Sequence, residues 1–186
     1  MKTNSDFILD RNSFAKLSEP APVEEVRERI FRSALRAPDH GMLKPWRFLV
    51  IEGEARKRFG ELLADALKAD KCGASDGELE KARNNPLRAP LLVVAIAKPQ
   101  DHPKIPVIEQ LLSAGCTVHQ MLLAAEAEGF GGIWRTGPLA YNQLVKDGLN
   151  LTESEQIIGF LYLGTPTTQA KTLSLPDVSA YFSYWK

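Results

Sequence analysis

Residues 113–137 read SAGCTVHQMLLAAEAEGFGGIWRTG. Over 113–128, small and apolar side chains (Ala114, Cys116, Val118, Met121, Leu122, Ala125) recur at helical spacing and cover most of the circumference. That is the pattern of a helix buried in a core. The segment is shorter than the ~20 apolar residues that a bilayer span requires. Gly129 stands where a helix closes in the left-handed region at least cost. Gly131 and Gly132 then open a short strand that continues Ile133-Trp134-Arg135 and leads to Thr136 and Gly137. Backbone without side chains beside a core helix admits either a close packing neighbour or a flat ligand. The stretch itself leaves both readings open, and His119 on it reads as a hydrogen-bonded core residue.

Outward from this stretch the chain punctuates itself. Asn4 or Ser5 can cap a short helix over 6–10. A second helix is expected over 23–35, with Val26, Ile30 and Ala34 on one face, Glu24 and Glu25 in its first turn and Arg32 and Arg36 in its last. That charge placement suits the helix dipole, and Pro38 stops the helix. Residues 47–52 (RFLVIE) have strand composition, Gly53 turns the chain, and a third helix is expected over 54–69. After a small polar loop, 72–77, a short helix is expected over 78–85, ahead of Pro86. Residues 91–97 (LLVVAIA) are a continuous apolar run of strand length, expected to be covered on both faces. A small helix over 142–149, a capping-box pattern at 152–155 (TESE) and a buried strand over 157–163 follow. From 165 to 186 there is no period, and the chain ends in Tyr181, Phe182, Tyr184 and Trp185. The expected architecture is one α+β domain over 1–186.

The 23 Lys and Arg balance the 23 Asp and Glu, so no electrostatic footprint for nucleic acid or a membrane surface is present. With 186 residues and 44% hydrophobic content, the chain is long enough for a real core. The start MKTNSD lacks the build of a signal peptide. Cys72 and Cys116 form no CxxC pair, which fits a reducing, cytoplasmic setting. His40, His102 and His119 share no metal-ligand spacing, so no metal is expected.

Four clusters could carry chemistry. Arg11-Asn12-Ser13 ends the first helix, and arginine suits phosphate because its planar fork donates two parallel hydrogen bonds; a plain surface arginine is the bland alternative. The loop around Arg36, Asp39 and His40, with Lys44-Pro45-Trp46 after it, is stiffened by prolines and reads equally as a site or as loop hydrogen bonding. Residues 129–137 are no dinucleotide fingerprint, because Trp134 occupies the third glycine position and a helix precedes the run. The aromatic tail must dock on its own domain or on a partner.

Taken in order, RNS at 11–13, RAPDH at 36–40 with KPWRFLVIEG at 44–53, KARNNPLRAP at 81–90, SAGC at 113–116, EGFGGIWRTG at 128–137 and IIGFLYLGTP at 157–166 resemble the nitroreductase-type flavoproteins. The resemblance spans nearly the whole chain, about 7–176. It implies a three-layer fold, a central mixed or antiparallel sheet flanked by helices, and a homodimer with one FMN per subunit in the interface; from its aromatics, the tail, about 165–186, is expected to pack on the partner. It places Arg11, Asn12, Ser13, Trp134, Arg135 and Thr136 of one chain against FMN, with Arg36 and His40 from the other. Asn12 stands where relatives usually carry a second basic residue, which implies a weaker phosphate grip, and Lys44 stands where many carry Gln.

The implied activity is an FMN-dependent oxidoreductase taking a hydride from NADH or NADPH. By a ping-pong cycle it would reduce a nitroaromatic, a quinone or a similar small acceptor. Flavin carries the hard chemistry and the protein supplies placement and electrostatics, so neither a catalytic triad nor a nicotinamide fold is required. Backbone around 131–133 would neighbour the ring edge, and Lys16 is a candidate for balancing charge on the reduced ring. A flavin carrier or sensor without turnover, and a reductase of activated alkenes, are the rival readings.

Overall fold

The computed structural model describes residues 4–186, with side chains from Phe7 onward. The first helix, α1 (Asn4–Leu9), starts slightly earlier than the pattern suggests, and the caps expected at Asn4 or Ser5 lie outside the described side chains. A two-residue strand, β1 (Leu17–Ser18), follows. The helix α2 (Glu24–Ala34) buries Ile30 and Ala34 and ends ahead of Pro38, as its apolar face and charge order imply. Strand β2 (Trp46–Glu52) turns at Gly53, whose φ of 56° is one a side chain disfavours. Helix α3 (Ala55–Asp70) follows.

The next helix, α4 (Asp76–Asn84), begins two residues before the expected 78. Ser75 Oγ accepts from the Glu78 amide at 3.4 Å, and Glu78 Oε2 accepts from the Ser75 amide at 3.0 Å. This reciprocal pair satisfies two otherwise orphaned donors and sets the start of the helix.

Strand β3 (Leu91–Ala97) is buried at every position. Its alternate side chains enter two cores. Leu92, Val94 and Ile96 pack with Phe59, Leu63, Phe160 and Tyr162 on the α3 side. Leu91, Val93 and Ala95 pack with Ile30, Val118, Met121 and Leu161 on the α2 side. A central strand must be apolar throughout to serve two cores, which is why the run reads without alternation. The result is helix, sheet, helix.

The core helix is longer than its apolar stretch: α5 (Val107–Ala127) has 21 residues. It is buried along one side, by Ala114, Val118, Met121, Leu122 and Ala125. The expectation of burial all round is corrected on the opposite side, where Ile108 and Leu112 are 59% and 63% exposed and Cys116 and His119 face outward. These four fall at helical spacing, so they share the stripe pointing away from the sheet. His119 is therefore not a core residue. Buried Gln110 instead pins the preceding loop, accepting from the Gln100 amide and donating to the Gln100 carbonyl, both at 2.8 Å.

Gly129, at φ 82°, closes α5 as expected, with its amide on Glu126 O and the Phe130 amide on Ala125 O. Strand β4 (Gly131–Arg135), helix α6 (Gln143–Gly148) and strand β5 (Gln156–Pro166) complete the fold. All pairings are antiparallel: β5 bonds β3 on one edge and β4 on the other, β2 lies beyond β3, and β1 meets the end of β5.

Residues 152–155 start no helix. Glu155 reaches back to the Thr152 amide at 2.9 Å, as in a capping box, but the chain enters β5. Glu155 is held there by Arg47 of β2, through Nε at 2.6 Å and Nη2 at 2.8 Å. Residues 167–186 run over the outside, tied near their start by the Lys171 amide on Asn12 Oδ1 at 3.0 Å. The terminal aromatics find no cover on their own chain: Tyr181, Phe182, Tyr184 and Trp185 are 74%, 73%, 92% and 102% exposed.

Candidate functional site

Strand β4 is the axis of the site, and its pleat sorts the motif. Gly132 and Trp134 face the α5 core, whereas Gly131, Ile133 and Arg135 face the α3 core. Trp134 and Arg135, expected side by side against one ligand, therefore point to opposite faces of the sheet. The Trp134 indole donates to Ile158 O at 3.2 Å and lies over Gly159 and near Gly115. A Cβ on Gly159 would come 2.1 Å from Trp134 Nε1, so the glycine is the seat of the indole.

The two glycines that open β4 are filled by protein. A Cβ on Gly131 would lie 2.6 Å from Pro166 and 2.8 Å from Phe14, and one on Gly132 would lie 2.8 Å from Leu122 and 3.0 Å from Leu163. Their side-chain faces carry packing, the close-neighbour reading of the two that the sequence left open. Accordingly, Gly131→Val and Gly132→Val should each lose about 1–3 kcal/mol or more through overpacking. Urea unfolding of the FMN-free chain checks this, and unchanged midpoints would restore the ligand reading.

On the α3 face, Arg135 and Thr136 line a cavity of about 150 Å³ with Asn85, Leu63, Phe160 and Tyr162. Asn85 opens the short helical turn Asn85–Arg88. No carboxylate lines this space. Arg135 Nε is buried and has no hydrogen-bond partner among the described residues. Burial pushes the Tyr162 phenol up, while the nearby cations Arg88 and Arg135 pull it down. The cavity thus has apolar walls, an amide, a hydroxyl and an unpaired guanidinium N–H. Asn85 and Tyr162 were not singled out from sequence. Asn85 stood inside a quoted motif without a role, and Tyr162 reads as one more residue of an apolar strand.

The other expected site residues separate into distinct places. Arg11 is half-buried and donates to the exposed Ser13 hydroxyl at 3.3 Å. Asn12 is buried and joins three segments: its amide group donates to Asp10 O at 2.8 Å and accepts from Lys171 N, and its backbone N–H reaches Glu126 at 3.4 Å. Its side chain is committed to holding the start of the tail. Burial raises the Glu126 carboxyl, with the Asn12 amide and Arg11 opposing. Lys16 is exposed, and its carbonyl accepts from Thr167 Oγ1 at 3.2 Å.

Arg36 is exposed and its side chain makes no hydrogen bond or ion pair with a described residue. His40 Nδ1 lies 2.6 Å from Glu109 at the start of α5. Its loop is braced by Asp39 Oδ2 on the Lys44 amide at 2.8 Å, and Gly41, Met42 and Lys44 all have positive φ. Neither Arg36 nor His40 bonds Arg11–Ser13 or Trp134–Thr136 within the chain.

The sequence profile of the nitroreductase family matches residues 8–165. The chain is 44% identical over 181 residues to the protein named "Putative NAD(P)H nitroreductase YdjA" of Escherichia coli strain K12, covering 97% of this chain and 98% of that one. Its fold resembles the nitroreductase-like family protein from Bacillus cereus, at TM-score 0.85 and 20% identity over 100% of this chain and 97% of the other. It also resembles a mutant of the FMN and NADPH-dependent nitroreductase NfnB from Sphigopyxis sp. strain HMH, at TM-score 0.77 and 16% identity over 98% and 99%.

Proposed function

The chain belongs to the nitroreductase family, and on that premise we propose that it is an FMN-dependent oxidoreductase. It takes a hydride from NADH or NADPH and delivers it to a nitroaromatic, a quinone or a similar small acceptor. The observation that carries the cofactor reading is the buried, unpartnered Nε of Arg135 in a cavity with apolar walls. An unpaired buried donor costs about 1–3 kcal/mol, so a ligand with an acceptor edge and flat apolar faces answers it. A flavin ring has both.

When bound, FMN supplies the two-electron chemistry. The chain's residues divide the holding. Arg11, with Ser13 at its fork, suits the phosphate as a charge-assisted donor. Arg135, Asn85 and Thr136, which line the cavity, would hold the polar edge of the ring, and Trp134 braces the strand from the other face. Arg36 and His40 bond none of these groups within the chain, which fits their delivery by a second subunit. Asn12 acts indirectly, its side-chain amide fixing the segment that carries Arg11.

Charge-assisted bonds to phosphate typically contribute about 1.5–3 kcal/mol. Arg11→Ala and Arg36→Ala should each weaken FMN binding about 10–100-fold, whereas Asn12→Ala should chiefly lower stability, by about 1–2 kcal/mol. Titration of FMN-free protein by flavin fluorescence measures the first, and urea unfolding the second. Full FMN affinity in both arginine variants would refute the phosphate assignment. For the activity, anaerobic mixing with NADPH should bleach the bound flavin within the dead time to seconds, and a nitroaromatic should restore its colour. Flavin that stays yellow identifies a carrier instead.

A further inference from the structure

Packing of α5 against the segment 10–12 sets an acidic group beside Arg11. Glu126 lies in the last turn of α5, and its one polar partner among the described residues is the Asn12 backbone N–H, at 3.4 Å. The Arg11 guanidinium and the Asp10 carboxylate both act on Glu126 through space, with opposite signs. Lys171 meets this cluster from the tail, its backbone amide on Asn12 Oδ1. Glu128, two residues on, is answered differently: both arms of the Arg29 fork bind it at 2.7 Å. We infer that the Glu126 carboxylate is a counter-charge to Arg11 that loosens the chain's hold on the phosphate of FMN, and that protonating it tightens that hold. This rests on the FMN reading above, with Arg11 at the phosphate.

A phosphate monoester carries a charge of about −1.5 to −2 near neutral pH, and a carboxylate near the guanidinium that binds it repels it. Salt screens this repulsion incompletely, because Asn12 is buried and Glu126 half-buried. The helix adds to the strain on the charge: its C-terminal end is partially negative, and the last turn of α5 holds no basic residue. Burial raises the Glu126 carboxyl above its ordinary value, Asp10 adding to the rise and the Asn12 N–H and Arg11 opposing it. A phosphate arriving at Arg11 pushes in the raising direction. By linkage, FMN then favours protonated Glu126, and protonated Glu126 favours FMN to the same extent. Asn12 brings no cation to offset the carboxylate, and its side chain is taken up by the Asp10 carbonyl and the Lys171 amide.

The test is a titration of the FMN-free full chain with FMN, followed by flavin fluorescence, for wild type, Glu126→Gln and Glu128→Gln across a range of pH. Glu126→Gln keeps an oxygen for the Asn12 N–H and removes only the charge. At about pH 8, where the carboxylate is ionised, it should bind FMN about 3–10-fold more tightly than wild type, the effect of one partly screened charge. That ratio should shrink toward one as pH falls through the range of the Glu126 carboxyl. The phosphate of FMN titrates too, but equally for both chains, so it cancels from the ratio. Glu128→Gln, whose carboxylate is already paired, should bind FMN like wild type. Should the glutamine variant not fold, Glu126→Met carries the test, its apolar chain covered by Leu9 and Leu173, which line the same cavity of about 420 Å³. Equal affinities for wild type and the uncharged variant, or a gain that does not change with pH, would overturn the inference while FMN binding stands. A wild-type chain that takes up no FMN fails differently, since the cofactor reading falls first and this inference with it.

Discussion

A chain truncated after Pro176 should sediment as a monomer and shed FMN at concentrations where the full chain keeps both. The tail is the reason. Tyr181, Phe182, Tyr184 and Trp185 stand in water at 73–102% exposure, with Leu175 and Val178 beside them at 62% and 65%. Each aromatic can bury ~150–250 Å², or about 4–6 kcal/mol at ~25 cal/mol per Å² before ordering costs. Covering them would favour association.

Two apolar surfaces on the same chain are open to receive a second copy. One is the outward stripe of Ile108, Leu112 and Cys116 on α5. The other is a groove of about 220 Å³ lined by Phe31, Leu35, Phe48, Val50 and Met121. In the proposed dimer the stripes meet and the tails cross to the partner. Arg36 and His40 of the partner would then complete the proposed FMN site. Sedimentation followed at the flavin absorbance decides it: the two losses should track each other on dilution. A truncated monomer that still holds FMN tightly would refute the shared site.

Glu155→Ala should clearly destabilise the fold. Glu155 is 2% exposed and receives both arms of the Arg47 fork as well as the Thr152 amide. Removing the carboxylate leaves the half-buried Arg47 guanidinium with only the Asn150 carbonyl, at 3.2 Å, and losing charge-assisted bonds of this kind costs about 1.5–3 kcal/mol. The same interaction makes stability depend on pH. The Arg47 hydrogen bond holds the Glu155 carboxyl at about 2, well below its ordinary 4.5. A carboxyl whose pKa is depressed by folding contributes its stabilisation above the unfolded value, and that contribution drains away as pH falls from about 4.5 toward 2. Urea midpoints should therefore fall steeply for the wild type over that window. They should fall more gently for Glu155→Gln, which starts lower at neutral pH. Parallel curves would show that Glu155 is not the titrating group.

What the sequence determined by itself was local. Residues 91–97 announced a doubly covered strand because seven apolar residues in a row can serve nothing else, and β3 spans those residues. Gly129 announced the end of α5 because a left-handed closure is written in one residue. The ordered motifs pointed to the family because each is a short string whose spelling survives without any knowledge of neighbours.

Everything that depends on what lies opposite waited for the tertiary structure. The strand period says that Trp134 and Arg135 face opposite ways, but only the pairing of β4 with β5 says which of them meets Tyr162. Gly131 and Gly132 looked the same whether they admit a ligand or a leucine, until Phe14, Pro166, Leu122 and Leu163 arrived from distant parts of the chain. The Arg47 and Glu155 pair is separated by 108 residues, and Asn12 and Lys171 by 159, so no window of sequence contains either. Helical spacing placed Cys116 and His119 on a core helix, but a helix has two sides, and the packing of one against the sheet decided that these two face away from it.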